Sequence, residues 1–262
     1  MFGIPQCLIY LIISSLEYLH IRNAFKSNGV FSWTIFSSRG SYINSYFPLR
    51  RVRFLFGYEG FIVNHIIRIV CCIALFFVND YAIKTTLLSF LAISSLILSY
   101  RNVIGNDGSD QMNSIICMTL AIAFLSKNIF VFKTGLVFIA CQSIVSYMIA
   151  GIAKLLSTKW RAGIAIYQIM NTKTYGNQKI ALYLSKAPKL VCYILSWKII
   201  GVETMFFMVV FMPYPWFFLF LAWGFLFHIY NAITMGLNNF FWAFMATYPS
   251  IIYLHYLIAK II

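Results

Sequence analysis

An all-α fold, a polytopic transmembrane helical bundle of about seven or eight spans with interfacial helices, is what this sequence predicts. Three observations carry that prediction. Of 262 residues, 61% are hydrophobic and only 10% charged, against about 25% charged in an ordinary soluble domain. Several apolar runs approach the roughly 20 residues that a helix needs to cross hydrocarbon. The connections between them are short, and none is polar and long enough to form a soluble domain, so residues 1–262 read as a single integral-membrane domain.

Residues 4–20 form the first apolar run. Met1 to Gln6 holds no basic residue and no small-x-small cleavage site precedes Glu17, so the run is not a signal peptide. It either spans or lies along the interface, with Glu17, His20 and Arg22 crowding its end. Residues 21–57 are the longest polar connection, holding Arg22, Lys26, Arg39, Arg50, Arg51 and Arg53 and the breakers Gly29, Gly40 and Pro48. Spans then follow at about 59–78, 82–100, 111–126, 131–156, 189–212, 215–236 and 239–260. Within 157–188, Ile164, Ile166, Tyr167 and Met170 beside Gln168 and Asn171 suit a short interfacial helix.

The net charge of +14 does not point to nucleic acid, because the basic residues are spread through short connections and make no aromatic-interleaved surface. It is the pattern of a chain whose partner is the lipid bilayer. Arg22, Lys26, Arg39, Arg50, Arg51, Arg53, Arg101, Lys159, Arg161, Lys173, Lys179, Lys186 and Lys189 fall on one side, and only Lys84, Lys127, Lys133 and Lys260 on the other. The first side is then cytoplasmic. Cys7, Cys71, Cys72, Cys117, Cys141 and Cys192 all sit in apolar runs without CxxC spacing, as small apolar residues do.

Polar residues inside apolar runs are the candidate chemistry, since a charged residue at mid-helix costs about 2.5–3.5 kcal/mol on insertion scales. On a helix, Ser143, Tyr147, Ala150, Gly151 and Lys154 form one stripe of small or polar side chains, which faces protein. Lys154 has two readings: a snorkelling lysine with its ammonium in the headgroups, or an amine held partly dry, able to act as a base. Glu203, in WKIIGVETMFF, either pairs and fixes packing or shapes a site; Lys198, five positions away, is poorly placed to pair with it on one helix. His228 and Asn231 share a helix face at i and i+3. The four histidines lie on separate segments with no metal-ligand spacing, and no residue pattern names a cofactor. The turn YRNVIGNDGSDQMNS, with Gly105, Asn106, Asp107 and Gly108, leads into a helix that Ser109 or Asp110 can cap.

The run YMIAGIAKLLSTKWRAG, with Tyr147, Gly151, Lys154, Trp160 and Gly163, resembles a segment of the vitamin K-dependent γ-carboxylase and its bacterial relatives, the HTTM (horizontally transferred transmembrane) family. The block FHIYNAITMGLNNFFWAFMATYP, with Phe227-His228, Asn231, Gly236 and Ala246-Thr247-x-Pro249, is similar to a second block of that family in the same order. The resemblance implies that Lys154 is the catalytic base and that His228, Asn231, Glu203, Tyr147 and Trp160 shape its pocket. It also sets Asp110 or Ser109 where the carboxylase has a histidine. The soluble domain that grips the peptide in the γ-carboxylase has no counterpart, so vitamin K-dependent glutamate carboxylation in that form is not expected.

Among compact members the chain looks most like the SdpB-type proteins. That likeness implies a multi-pass protein of the bacterial cytoplasmic membrane that helps mature a secreted antimicrobial or toxin peptide, with the peptide precursor and an accessory maturation protein as partners. The competing expectation is a transporter or immunity-type protein, in which Glu203, Lys154 and His228 line a polar pathway without catalysis.

Overall fold

The computed structural model describes residues 3–38, 53–102 and 107–261. Arg39, Gly40, Pro48, Arg50, Arg51, Gly105 and Asn106, singled out above, lie outside the described residues. Those described form helices and connections with no strand among them. The chain divides into two compact units, Met1–Gly135 and Leu136–Ile262.

Unit 1 contains α1 (Ile4–His20), α2 (Trp33–Ser38), α3 (Tyr58–Phe77), α4 (Tyr81–Arg101), α5 (Gly108–Ser126) and the start of α6 (Ile129–Leu156). Local chemistry sets the boundaries. Asp80 caps α4 by accepting from the Ile83 N–H at 2.8 Å. At α5 the cap is Asp107, not Ser109 or Asp110: its side chain accepts from the Ser109 and Asp110 N–H groups, while Asp110 reaches back to the Asp107 N–H. A cap must precede the first helical turn, and Asp110 already lies in that turn, as the third member of a capping box.

In this unit α1 packs on α3 and α5, and α3 and α5 flank α4. Phe61, Phe25 and Leu98 form a core cluster joined by Tyr18 and Phe31. The described parts of the connection, 21–38 and 53–57, are therefore more than polar linker: Phe25, Phe36 and Phe56 are buried, because apolar side chains there leave water. Arg101, read above as a loop charge, is fully buried. Its guanidinium lies over the Phe61 ring at 4.2 Å and the Phe25 ring at 4.9 Å, and donates to the Phe56 carbonyl at 3.0 Å. Cys7 and Cys117 bring their sulfurs to 3.5 Å, and all six cysteines are free.

Unit 2 contains the rest of α6, then α7 (Thr158–Arg161), α8 (Ile164–Met170), α9 (Gln178–Lys186), α10 (Lys189–Thr204), a 3₁₀ turn (Phe206–Val210), α11 (Trp216–Met235), α12 (Asn238–Met245) and α13 (Tyr248–Ala259). The connection 157–188 thus holds three short helices where one was expected. Gly163 ends the α7 turn at φ +74°, and a Cβ there would come within 2.6 Å of the Tyr193 Cα, so glycine is needed both for the backbone turn and for contact with α10.

Two expected spans are interrupted. Residues 189–212 break at Met205 into α10 and a 3₁₀ turn, and 239–260 break at Ala246–Thr247 into α12 and α13. At the second break Pro249 lies in the first turn of α13, where its missing N–H costs nothing. Among the described residues four helices are long and apolar enough to cross a membrane: α3, α4, α6 and α11. Their outward faces carry exposed large side chains such as Phe77, Ile149 and Ile233, which suit lipid and would be an aggregation hazard in water. With 28 residues, α6 is about 42 Å long at 1.5 Å per residue, more than the roughly 30 Å of hydrocarbon.

Candidate functional site

The site is built on one face of α6 in unit 2. Ser143, Tyr147 and Gly151 are buried along it, as the stripe of small and polar residues predicts, and Lys154 follows in the last turn with one fifth of its side chain exposed. Ser143, Tyr147 and Lys154 each meet a different segment. Ser143 hydrogen bonds Thr247 at 2.9 Å, in the break between α12 and α13. Tyr147 Oη lies 2.7 Å from His228 Nε2 on α11. Lys154 Nζ donates to Glu203 Oε2 at 2.5 Å, at the end of α10.

Lys154 and Glu203 form an ion pair. Glu203 is 3% exposed, so its carboxylate depends on Lys154 for charge compensation. Lys198, the on-helix alternative, plays no part in the contact. The Trp160 ring centroid lies 5.3 Å from Lys154 Nζ, a cation–π distance. Its indole is held by its own backbone: the Ser196 hydroxyl donates to the Trp160 carbonyl at 2.5 Å, and the Trp197 indole N–H donates to the Arg161 carbonyl at 3.2 Å. The ammonium is therefore enclosed by carboxylate and indole, with part of its surface still open. A simple snorkelling lysine would have no such partners.

Two turns earlier on α6, an aromatic layer surrounds the Tyr147–His228 pair. Phe206 stacks on Tyr147 at 3.9 Å between centroids, and Phe244 stacks on His228 at 4.7 Å. His228 Nδ1 has no hydrogen-bond partner among the described residues. The imidazole thus rests on a single hydrogen bond and on ring packing. Tyr147→Phe would leave both ring nitrogens unpaired in a buried site, at a cost of about 1–3 kcal/mol. The measurement is a thermal melt of Tyr147→Phe, His228→Ala and the double variant in one detergent; the double variant should lose clearly less than the sum of the two single losses.

Lys154, Glu203, Trp160, Tyr147 and His228 therefore belong to one strip of α6 and what packs on it, at two levels about 10 Å apart. Asn231 lies three residues after His228 on α11. It is half-buried, and its backbone carbonyl accepts from the Leu237 N–H at 3.3 Å where α11 turns at Gly236. Asp110 belongs to unit 1, where it accepts from the Tyr10 hydroxyl beside a small polar cavity lined also by Arg68 and Asn113.

Three contributors escaped the sequence reading. Thr204 lies against Gly151, where an added Cβ would come within 2.4 Å of its backbone nitrogen. Tyr248, whose hydroxyl donates to the Leu221 carbonyl at 3.0 Å, occupies the space beside Gly224. Phe206 supplies the stacking partner of Tyr147. Only the glycines hinted at them, since a glycine within an apolar helix marks close approach without naming what approaches. Groups of three or more residues able to hold a metal ion are absent among the described residues. Comparison of the chain with protein-family models, with curated proteins and with solved structures finds no match to any of them.

Proposed function

We propose that this chain is a multi-pass membrane protein of about seven or eight spans, related to the γ-carboxylase-like HTTM proteins, that modifies a secreted antimicrobial or toxin peptide in the bacterial cytoplasmic membrane. An accessory protein presents the peptide, and Lys154 takes a proton from it. The observation that carries this reading is the contact of Lys154 with Glu203 and Trp160 near the end of α6, with part of the amine open. A base must lose its own proton first. Movement of the shared proton from Nζ to Oε2 leaves a free amine beside a neutral carboxyl, and the amine can then accept the substrate's proton. Trp160 shields one side from water, and the Tyr147–His228 layer seals the inner end.

The experiment is mass spectrometry of a peptide precursor encoded beside this chain, co-expressed with the native protein and with Lys154→Arg. Arginine keeps a cation opposite Glu203 but does not deprotonate. The expected outcome is loss of the mass change by 100-fold or more, on the scale of removing a general base, at unchanged membrane expression. An active Lys154→Arg variant would instead favour the second reading, a non-catalytic transport or immunity protein, which has its own observation: the two charges already satisfy each other.

Membrane topology has an independent check. Single cysteines placed near residue 28 and residue 175, in a background without the native cysteines, are expected to react with an impermeant maleimide from the same side of the membrane. Four helices, α3, α4, α5 and α6, separate the two positions, an even number when α5 crosses along with the other three. Labelling from opposite sides would remove one span from the count.

A further inference from the structure

We propose that unit 2 carries a site for one anionic phospholipid, in a groove between the turn after α7, the end of α9 and the start of α10. The groove has a volume of about 370 Å³ and is walled by Gly163, Ile164, Tyr167, Leu184 and Cys192, with Ser185 and Lys189 at its polar edge. Apolar walls and a charged rim match the two ends of a lipid: one acyl chain lies along Ile164 and Leu184, and the phosphate meets Lys189 and Lys186.

Charge chooses the headgroup. After Asp110 the sequence has one acid, Glu203, and that acid is buried against Lys154. Lys159, Arg161, Lys173, Lys179, Lys186, Lys189 and Lys198 therefore stand between residues 157 and 202 without any acidic residue among them. A basic surface of this kind at a membrane boundary attracts anionic headgroups and gains nothing from zwitterionic ones. The exposed side chains of α9 and α10 agree with that charge. Leu182 and Tyr183 on α9 and Leu190 on α10 are exposed, and a tyrosine with leucines among lysines is what a segment lying in the interface presents.

The groove shares its framework with the candidate site. Gly163 packs on the Tyr193 backbone, and Ser196, one turn along α10, holds the carbonyl of Trp160 beneath Lys154. A lipid wedged between α9 and α10 would brace the elements that set the indole against the amine. The proposal does not depend on what Lys154 does.

Native mass spectrometry of the delipidated protein in detergent tests it, with phosphatidylglycerol and phosphatidylcholine titrated separately. Phosphatidylglycerol with palmitoyl chains should bind with one preferred stoichiometric site. Lys186→Gln/Lys189→Gln should weaken that site roughly thirtyfold, from the attraction of two lysines at a membrane surface. The charge-matched pair Lys173→Gln/Lys179→Gln should change it less than about threefold. Dihexanoyl phosphatidylglycerol, with the same headgroup and chains too short to fill the groove, should bind at least tenfold more weakly than the palmitoyl lipid. Equal binding of phosphatidylcholine, equal loss in both lysine pairs, or equal binding of the short-chain lipid would each overturn the proposal. The first would remove the headgroup, the second would leave only diffuse charge, and the third would empty the groove.

Discussion

Lys154→Ala is expected to destabilise the protein by about 3–5 kcal/mol, the scale for removing one partner of a buried ion pair. The native pair is weak grounds for stability by itself, since both charges have lost hydration to form it. Removing the lysine is different. Glu203, 3% exposed, would remain in an apolar setting with neither water nor cation. Trp160 would also lose the ammonium that lies on its face. The measurement is a thermal or denaturant unfolding series in one detergent for Lys154→Ala, Glu203→Gln and Lys154→Met/Glu203→Gln. The double variant should recover more than half of the loss, because no uncompensated charge is left. If Lys154→Ala melted with the native protein, Glu203 would be hydrated or paired elsewhere and the central contact of the site would fall.

Gly151→Ala is expected to have the next largest effect, although it adds a single methyl group. The added Cβ would lie 2.4 Å from the Thr204 backbone nitrogen and 2.8 Å from the Glu203 carbonyl carbon. Backbone cannot rotate away as the end of a flexible side chain can, so α6 and the end of α10 must separate. Overpacking of this kind costs about 1–3 kcal/mol or more, and here it also draws Glu203 away from Lys154. The variant should therefore show both a lower melting temperature and, in the co-expression assay, a loss of function that approaches that of Lys154→Ala. Gly201→Ala is the matched control, since a Cβ there meets nothing within 4 Å. Equal behaviour of the two variants would mean that the α6–α10 contact is not close-packed.

The α6 stripe was legible because it is local. Helical spacing alone puts Ser143, Tyr147, Gly151 and Lys154 on one face, and the structure buries the first three. The need of Glu203 for a partner was also legible, from the cost of a carboxylate in an apolar run. Its identity was not, because Lys154 and Glu203 are 49 residues apart and their contact depends on how α10 approaches Gly151. The interruptions at Met205 and at Ala246–Thr247 were likewise hidden. Hydropathy reports where a segment is apolar and says little about whether its backbone remains helical throughout. Arg101 shows the limit in the other direction: at the end of a span it reads as a solvated charge, yet rings and backbone carbonyls from elsewhere in its unit enclose it.

By itself, then, the sequence determined an all-helical chain with enough apolar length to cross a membrane, because composition and 3.6-residue periodicity are properties of neighbours along the chain. Tertiary structure alone decided which polar groups meet: Lys154 with Glu203 and Trp160, Tyr147 with His228, Ser143 with Thr247. Those pairings depend on ångström-scale approach between segments far apart in sequence, fixed by packing at Gly151 and Gly224. Buried polar groups must find partners, but the requirement does not specify which ones.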